Sequence, residues 1–238
     1  MTTQENIIFT TEIIGTIAFA ASGAMIAIRK ELDLFGIIML GTITAVGGGI
    51  LRDIIIGRIP PNTFVNPVYI ATAALTSVLL FIIFYKAPSL LDSKHIGTFE
   101  KILNIFDAIG LGAFTVIGID AGIDKGYGEY LFLLIFLGVT TGIGGGIMRD
   151  IMAGEIPYVL KKQIYACASI AGACLYVIFL QFSQSYLSML ISALLVVVVR
   201  MLASKFDWNL PAVRINSSSI CSLHDDQTDQ NGQNDQNH

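Results

Sequence analysis

Apolar residues form long runs along this chain, and short polar segments separate them. A helix needs about 20 residues to cross roughly 30 Å of hydrocarbon, and seven runs reach that length. The runs are too long and too uniformly apolar for barrel strands, so we expect helices that satisfy their own backbone hydrogen bonds. The predicted spans are 7–28, 34–56, 67–85, 102–122, 130–152, 163–181 and 186–204.

The composition agrees with a protein that crosses the membrane several times. Hydrophobic residues make up 54% of the 238 positions and charged residues only 13%, which is outside the range of an ordinary soluble domain. The net charge of -4 comes from residues 206–238, which carry five Asp against the single Arg214. The first run begins with Glu5 and Glu12 instead of a basic region, so a cleavable signal peptide is not predicted.

The basic residues predict the orientation of the chain. If the N-terminus lies outside, the external connections contain only Arg58 and Lys125. The positive-inside bias therefore favours an external N-terminus and a cytoplasmic C-terminus. The cytoplasmic segments would contain Arg29, Lys30, Lys86, Lys94, Lys101, Lys161, Lys162, Arg200, Lys205 and Arg214.

One motif occurs twice. GGGILRDIIIGRIP at 47–60 returns as GGGIMRDIMAGEIP at 144–157, and at an offset of 95 Glu12 of the first span corresponds to Asp107 of the fourth. The repeat unit is three helices, and an odd number of crossings inverts the second copy in the membrane. The predicted architecture is an all-α integral membrane protein of two inverted three-helix repeats plus one helix. Its segments are 1–97 (first repeat), 98–184 (inverted second repeat), 185–205 (seventh helix) and 206–238 (disordered cytoplasmic tail).

Three consecutive glycines in each motif predict a break in the second and fifth helices. Each glycine costs about 1 kcal/mol of helix propensity relative to Ala. A break would expose carbonyl and amide groups, which lipid tolerates only where they face protein or a water-filled path. Small residues also let helices pack closely, and this alternative stays open for the glycines alone. The six glycines are Gly47, Gly48, Gly49, Gly144, Gly145 and Gly146.

An Arg-Asp pair follows each triglycine inside an apolar run. Charge at this depth costs several kcal/mol unless it is paired or hydrated, so Arg52, Asp53, Arg149 and Asp150 predict a polar permeation path. Adjacent residues diverge by about 100° on a helix. This geometry disfavours pairing between neighbours and leaves cross-repeat pairs, Arg52 with Asp150 and Arg149 with Asp53, as the alternative.

Other candidate chemistry is sparse. Glu12 and Asp107 are candidates for gating, although carboxylates near helix starts also suit the helix dipole. No GK[ST] follows either triglycine, and no set of nucleophile, base and orienting residue is visible. We therefore expect no enzymatic activity, no cofactor, no metal site and no nucleic-acid partner.

The doubled GGGxxRDxxxGxxP motif, the FAASGA stretch at 19–24 and the 3+3+1 layout resemble the bacterial TRIC (trimeric intracellular cation channel) family, also described as a glycine-transporter-domain family of inner-membrane proteins. The resemblance covers about residues 7–204. It implies a homotrimer surrounded by the lipids of the bacterial plasma membrane, a pore in each protomer, kinks at the triglycines and preference for potassium over anions. By motif match it assigns a pore or substrate-binding role to Gly47, Gly48, Gly49, Arg52, Asp53, Gly144, Gly145, Gly146, Arg149 and Asp150.

Channel and carrier remain as two hypotheses. A channel would use unwound carbonyls as weak cation ligands. A carrier would bind a zwitterion such as glycine between carbonyls and half-helix N-termini, with Arg52 or Arg149 on the carboxylate. The resemblance favours a potassium channel, and a secondary transporter of glycine or another small neutral amino acid is the alternative.

The tail provides a first test. Deleting residues 209–238 should leave transport intact, because this polar segment has no apolar surface to bury. Flux in proteoliposomes would be compared with the full-length protein at matched incorporation. Normal membrane insertion with lost flux would contradict the expectation.

Overall fold

The computed structural model describes residues 3–91, 96–161, 164–182 and 186–206. The predicted tail lies outside these ranges apart from Phe206. Within them, seven helices are long and apolar enough to cross a membrane, which confirms the predicted all-α membrane fold with seven spans. They are α1 (Thr3–Arg29), α2 (Leu34–Ile55), α3 (Val68–Lys86), α4 (Ile96–Asp124), α5 (Leu131–Met152), α6 (Ile164–Phe182) and α7 (Tyr186–Lys205). Short helices Asn62–Val65 and Tyr158–Lys161 follow α2 and α5, and a 3-10 turn Pro88–Leu91 follows α3.

The predicted spans match these helices within a few residues, except at the start of α4. This helix begins at Ile96, six residues before the predicted span. Its first turns contain the exposed Glu100 and Lys101, which a hydropathy criterion excludes although both are good helix formers. The extra turns therefore extend a spanning helix beyond its apolar part.

Helices α1 and α4 form the centre of the bundle, and most of their central residues are buried. Each places a phenylalanine on a glycine of the other. The ring of Phe19 packs on Gly110 and the ring of Phe114 on Gly15, with the ring centroids 5.2 Å apart. Since both glycines and both rings correspond at the offset of 95, the contact is reciprocal, as a pseudo-two-fold relation between the two halves would produce.

Helices α2 and α5 are unbroken through their triglycines, so the expected helix breaks are wrong. Each is a single α-helix over 22 residues. A Cβ at Gly48 would collide with the carbonyl oxygen of Thr141, and a Cβ at Gly145 with that of Thr44. The glycines thus let two helix backbones touch, and this packing compensates for their low helix propensity.

This contact predicts different effects at two helical glycines. Gly48→Ala should destabilise the protein by about 1 to 3 kcal/mol, the usual range for overpacking. Gly97→Ala is the control, because its added Cβ would meet nothing within 4 Å and helix propensity favours alanine. Thermal unfolding in detergent should therefore give a lower midpoint for Gly48→Ala only. Equal midpoints would exclude the proposed backbone contact.

Candidate functional site

A polar cavity of about 500 Å³ opens at one end of the bundle. We call it the Arg52 vestibule. It lies between the first half of α1, the end of α2, the start of α3 and the end of α4. Its polar lining consists of Glu5, Glu12, Arg52, Arg58, Asn62, Tyr69, Asp120 and Asp124.

A second polar cavity, of about 70 Å³, lies at the opposite end. We call it the Arg149 vestibule. Glu12 of the first cavity and Ile26 of the second are about 20 Å apart along α1 by helix rise, so the two cavities cannot share a membrane face. The polar lining of the second consists of Asn104, Asp107, Arg149, Asp150, Glu155, Tyr158 and Arg200.

Arg52 and Asp53 are bonded to each other, and Asp53 is also bonded to the segment that follows α2. Arg52 is buried, and its Nε donates to Oδ1 of Asp53 at 2.9 Å. The other carboxylate oxygen of Asp53 accepts from the backbone N–H of Asn62 at 2.8 Å. One fully buried carboxylate thus neutralises the guanidinium and also holds the short helix after α2.

The second pair repeats this geometry. Arg149 Nε donates to Oδ1 of Asp150 at 2.9 Å, and Oδ2 accepts from the backbone N–H of Tyr158 at 2.7 Å. The expected cross-repeat pairs of Arg52 with Asp150 and Arg149 with Asp53 are therefore wrong. The reason is that each aspartate is fixed by the segment that follows its own helix, and the long arginine side chain bends back to reach it.

The two candidate gating carboxylates have different partners. Asp107 is buried and accepts from Arg149 Nη1 at 2.5 Å, and Arg149 also donates to the hydroxyl of Ser22. Glu12 is half-buried and accepts instead from the hydroxyl of Tyr69. Arg149 therefore joins α5 to α4 at its vestibule, whereas the equivalent carboxylate in the wider Arg52 vestibule is held by a neutral partner.

The three glycines of each motif have different neighbours. Gly47 lies opposite the sulfur of Met148, and Gly144 lies opposite Gly48, so these positions, like Gly48 and Gly145, serve the contact between α2 and α5. Only the third glycine of each motif borders a guanidinium. A Cβ at Gly49 would lie 3.9 Å from Arg52 Nη2, and one at Gly146 would lie 3.7 Å from Arg149 Nη2.

Ion pairs of opposite polarity lie at the rims of the two vestibules. Arg58 after α2 bonds Asp124 at the end of α4 at 3.4 Å. Glu155 after α5 bonds Arg29 at 3.1 Å and Lys30 at 2.9 Å, both at the end of α1. Sequence reasoning missed these pairs, although Arg58 and Glu155 occupy the same motif position with opposite charge. The opposite charges at this motif position were the feature of the sequence from which the ion pairs could have been predicted.

Taken together, the seven spans, the motif in each half of the chain and the two opposed vestibules define a polytopic membrane protein with two similar halves. A family model described as "Glycine transporter" matches residues 9–86 and again 104–181, at the same offset of 95. The chain therefore belongs to this glycine-transporter-domain family, which includes the TRIC channels.

Relatives of known sequence are bacterial membrane proteins. A UPF0126 membrane protein of Deinococcus radiodurans is 40% identical over 164 residues, which are 68% of this chain and 71% of that protein. The UPF0126 inner membrane protein YadS of Escherichia coli K12 is 36% identical over 166 residues, covering 70% of this chain and 75% of YadS. This chain is accordingly a multi-pass membrane protein of a bacterial family.

Solved structures with the same fold are TRIC channels. A prokaryotic TRIC channel crystallised in 0.5 M KCl superposes with a TM-score of 0.77 at 32% identity, covering 87% of this chain and 100% of that one. The TRIC trimeric intracellular cation channel orthologue from Rhodobacter sphaeroides superposes with a TM-score of 0.76 at 29% identity, covering 85% and 99%. The fold of this chain is therefore that of TRIC channels over most of its length.

The Glu155 rim pair predicts an acid-dependent loss of stability. Hydrogen bonding from Lys30 and the charge of Arg29 hold the pKa of Glu155 below its ordinary value of 4.5. A lowered folded-state pKa contributes stability above the unfolded pKa, and this is lost as pH falls through the folded pKa. The difference in melting temperature between wild type and Glu155→Gln should be constant above pH 5 and shrink below pH ~4.5.

The matched control is Glu100→Gln, which removes an exposed carboxylate from the start of α4. It should give no comparable pH-dependent difference. Because the rim pair is partly exposed, added salt should also reduce the Glu155→Gln difference. A difference that is independent of both pH and salt would mean that the ion pair contributes nothing measurable.

Proposed function

We propose that this protein is a cation channel in which each protomer carries its own pore, from the Arg52 vestibule past the α2–α5 contact to the Arg149 vestibule. The observation that carries the proposal is that the arginine of each motif, Arg52 and Arg149, is already neutralised by the buried aspartate that follows it. The fold shared with TRIC cation channels supports it. The ten motif residues are proposed to line or support this path, with Glu12 and Asp107 in gating roles.

Paired arginines remove the main objection to cation conduction. Arg52 is matched by Asp53, so the rest of the Arg52 vestibule determines its field. There Glu5, Glu12, Asp120 and Asp124 outnumber Arg58. A cleft with excess negative charge and low-dielectric walls concentrates cations, which favours cations such as potassium over anions.

The narrow end supplies a gate. In the Arg149 vestibule, the bond between Arg149 and Asp107 joins α5 to α4 across the path. A cation can pass only if this pair separates or is hydrated, because the guanidinium of Arg149 occupies the position at which the carboxylate of Asp107 would bind the cation. We propose that this ion pair is the closed gate.

Unbroken helices weigh against the glycine carrier. That hypothesis required half-helix ends at both triglycines to bind the charged ends of a zwitterion. Since α2 and α5 continue through the motifs, those backbone groups are engaged in helical hydrogen bonds. The unwound carbonyls expected as cation ligands of a channel are lost in the same way, but side chains and water can line a channel in their place.

Assembly and orientation complete the proposal. The homotrimer is supported by the trimeric relative from Rhodobacter sphaeroides. An external N-terminus would direct the Arg52 vestibule outward and the Arg149 vestibule to the cytoplasm. The proposed segments are 1–97 and 98–184 for the repeats, 185–205 for the seventh helix and 206–238 for a cytoplasmic tail.

The gate predicts a gain of flux. Arg149→Gln should raise potassium current in proteoliposomes about tenfold, the change expected if the ion pair adds about 1.4 kcal/mol to the barrier. Arg52→Gln should alter current without opening the gate. Lys101→Gln, which neutralises an exposed residue on α4, is the control for loss of a positive charge.

Radiolabelled glycine uptake should be measured on the same preparation. Current that reverses at the potassium equilibrium potential and ignores glycine supports the channel. Saturable glycine uptake without current would establish a carrier instead. Unchanged current in both arginine variants, at normal abundance and oligomer size, would show that the path runs elsewhere.

A further inference from the structure

A second guanidinium, from outside the two predicted repeats, reaches the Arg149 vestibule. Arg200 lies on α7, is 2% exposed and lines this cavity beside Arg149 and Asp150. Burying a charge inside a membrane protein costs several kcal/mol unless the surroundings compensate it. The surroundings of Arg200 must therefore favour a cation.

Two tyrosine rings supply this compensation. The guanidinium carbon of Arg200 lies 4.8 Å from the ring centroid of Tyr158 and 4.8 Å from that of Tyr165. The ring centroids are 6.0 Å apart and the rings are inclined at 71°. Cations are attracted to the faces of aromatic rings, and paired rings of this kind recognise organic cations. We call this pair the Tyr158–Tyr165 cage.

Hydrogen bonds contribute less to holding Arg200 than to holding Arg149. In the part of the chain that the structure describes, Nε and Nη2 of Arg200 have no hydrogen-bond partner. Arg149, by contrast, is bonded to both Asp107 and Asp150. The surroundings of Arg200 therefore match the charge and shape of a flat cation more than a fixed pattern of hydrogen-bond donors.

The cage is built into the candidate gate. Tyr165 Oη would lie 3.1 Å from a Cβ on Gly146, the third glycine of the second motif. Tyr158 is tied to Asp150 through its backbone N–H. The counterpart of Tyr165 in the first repeat is Tyr69, which lines the open Arg52 vestibule. A ligand in the cage would thus lie next to the path.

We propose that the Tyr158–Tyr165 cage is a binding site for a monovalent organic cation of the guanidinium or alkylammonium class, and that Arg200 occupies it as a tethered ligand. A free cation can enter only when Arg200 leaves. Binding itself does not depend on the channel function, but the effect of occupancy on conduction rests on that proposed function.

Binding can be tested with methylguanidinium on the full-length protein in detergent. Arg200→Ala empties the cage, so millimolar methylguanidinium should raise the melting temperature of this variant in a saturable manner. Sodium chloride at equal ionic strength should not give this rise. Wild type should respond at least tenfold more weakly, because Arg200 competes at high local concentration. Arg200→Ala combined with Tyr165→Leu should lose the response, since the second ring face is gone.

Lys205→Ala is the matched control. It removes the same charge from the same helix, at an exposed residue outside the cage, and should respond like wild type. If Arg200→Ala fails to fold, Arg200→Gln retains most of the side-chain volume. Should both fail, methylguanidinium present during purification should rescue them. Absence of both a saturable shift and a rescue overturns the proposal.

Conduction separates this inference from the proposed function. In proteoliposomes, Arg200→Ala should carry potassium current that methylguanidinium blocks from one side of the membrane only, while wild-type current is insensitive. Binding to Arg200→Ala without current in any variant supports the cage and rejects the channel. Current in all variants without binding supports the channel and rejects the cage.

Discussion

The rest of the molecule depends on one backbone contact between α2 and α5. Gly48 meets the carbonyl of Thr141, and Gly145 meets that of Thr44. Only glycine permits this approach, because any Cβ would occupy the space of the opposing backbone. The contact fixes both Arg-Asp pairs relative to each other, since each pair begins about one helical turn beyond its glycines.

The buried polar groups near this contact are stabilised mainly by partners in their own half of the chain. Contacts with other helices add to these local bonds. Asp53 and Asp150 each bond their own arginine and the segment that follows their own helix. Each aspartate therefore ties its arginine to the segment that follows its own helix. Arg149 in addition links this local unit to another helix, because it also reaches Asp107 on α4.

Sequence patterns predicted the features that depend on local composition. Seven spans followed from run length, and the doubled motif located the charged residues. The break expected at Gly48 was wrong, because helix propensity counts the local cost of glycine and omits the packing gained from a distant helix. The burial of Arg200 could not be predicted for the same reason, because it depends on contacts with distant helices. Its sequence neighbours are ordinary for a spanning helix, and only the rotation of α7 against Tyr158 and Tyr165 turns it into the bundle.

The seventh helix has a consequence for the symmetry of the molecule. Two equivalent repeats related by a two-fold axis would present identical surfaces to both sides of the membrane, and a path between them would be the same in either direction. Because α7 has no counterpart, it adds an arginine to one end alone, where the cavity is about 70 Å³ against about 500 Å³ at the other. In the proposed channel, α7 therefore adds to the asymmetry between the two ends of the path, and the expected consequence is rectification of current or a preferred side for inhibitors.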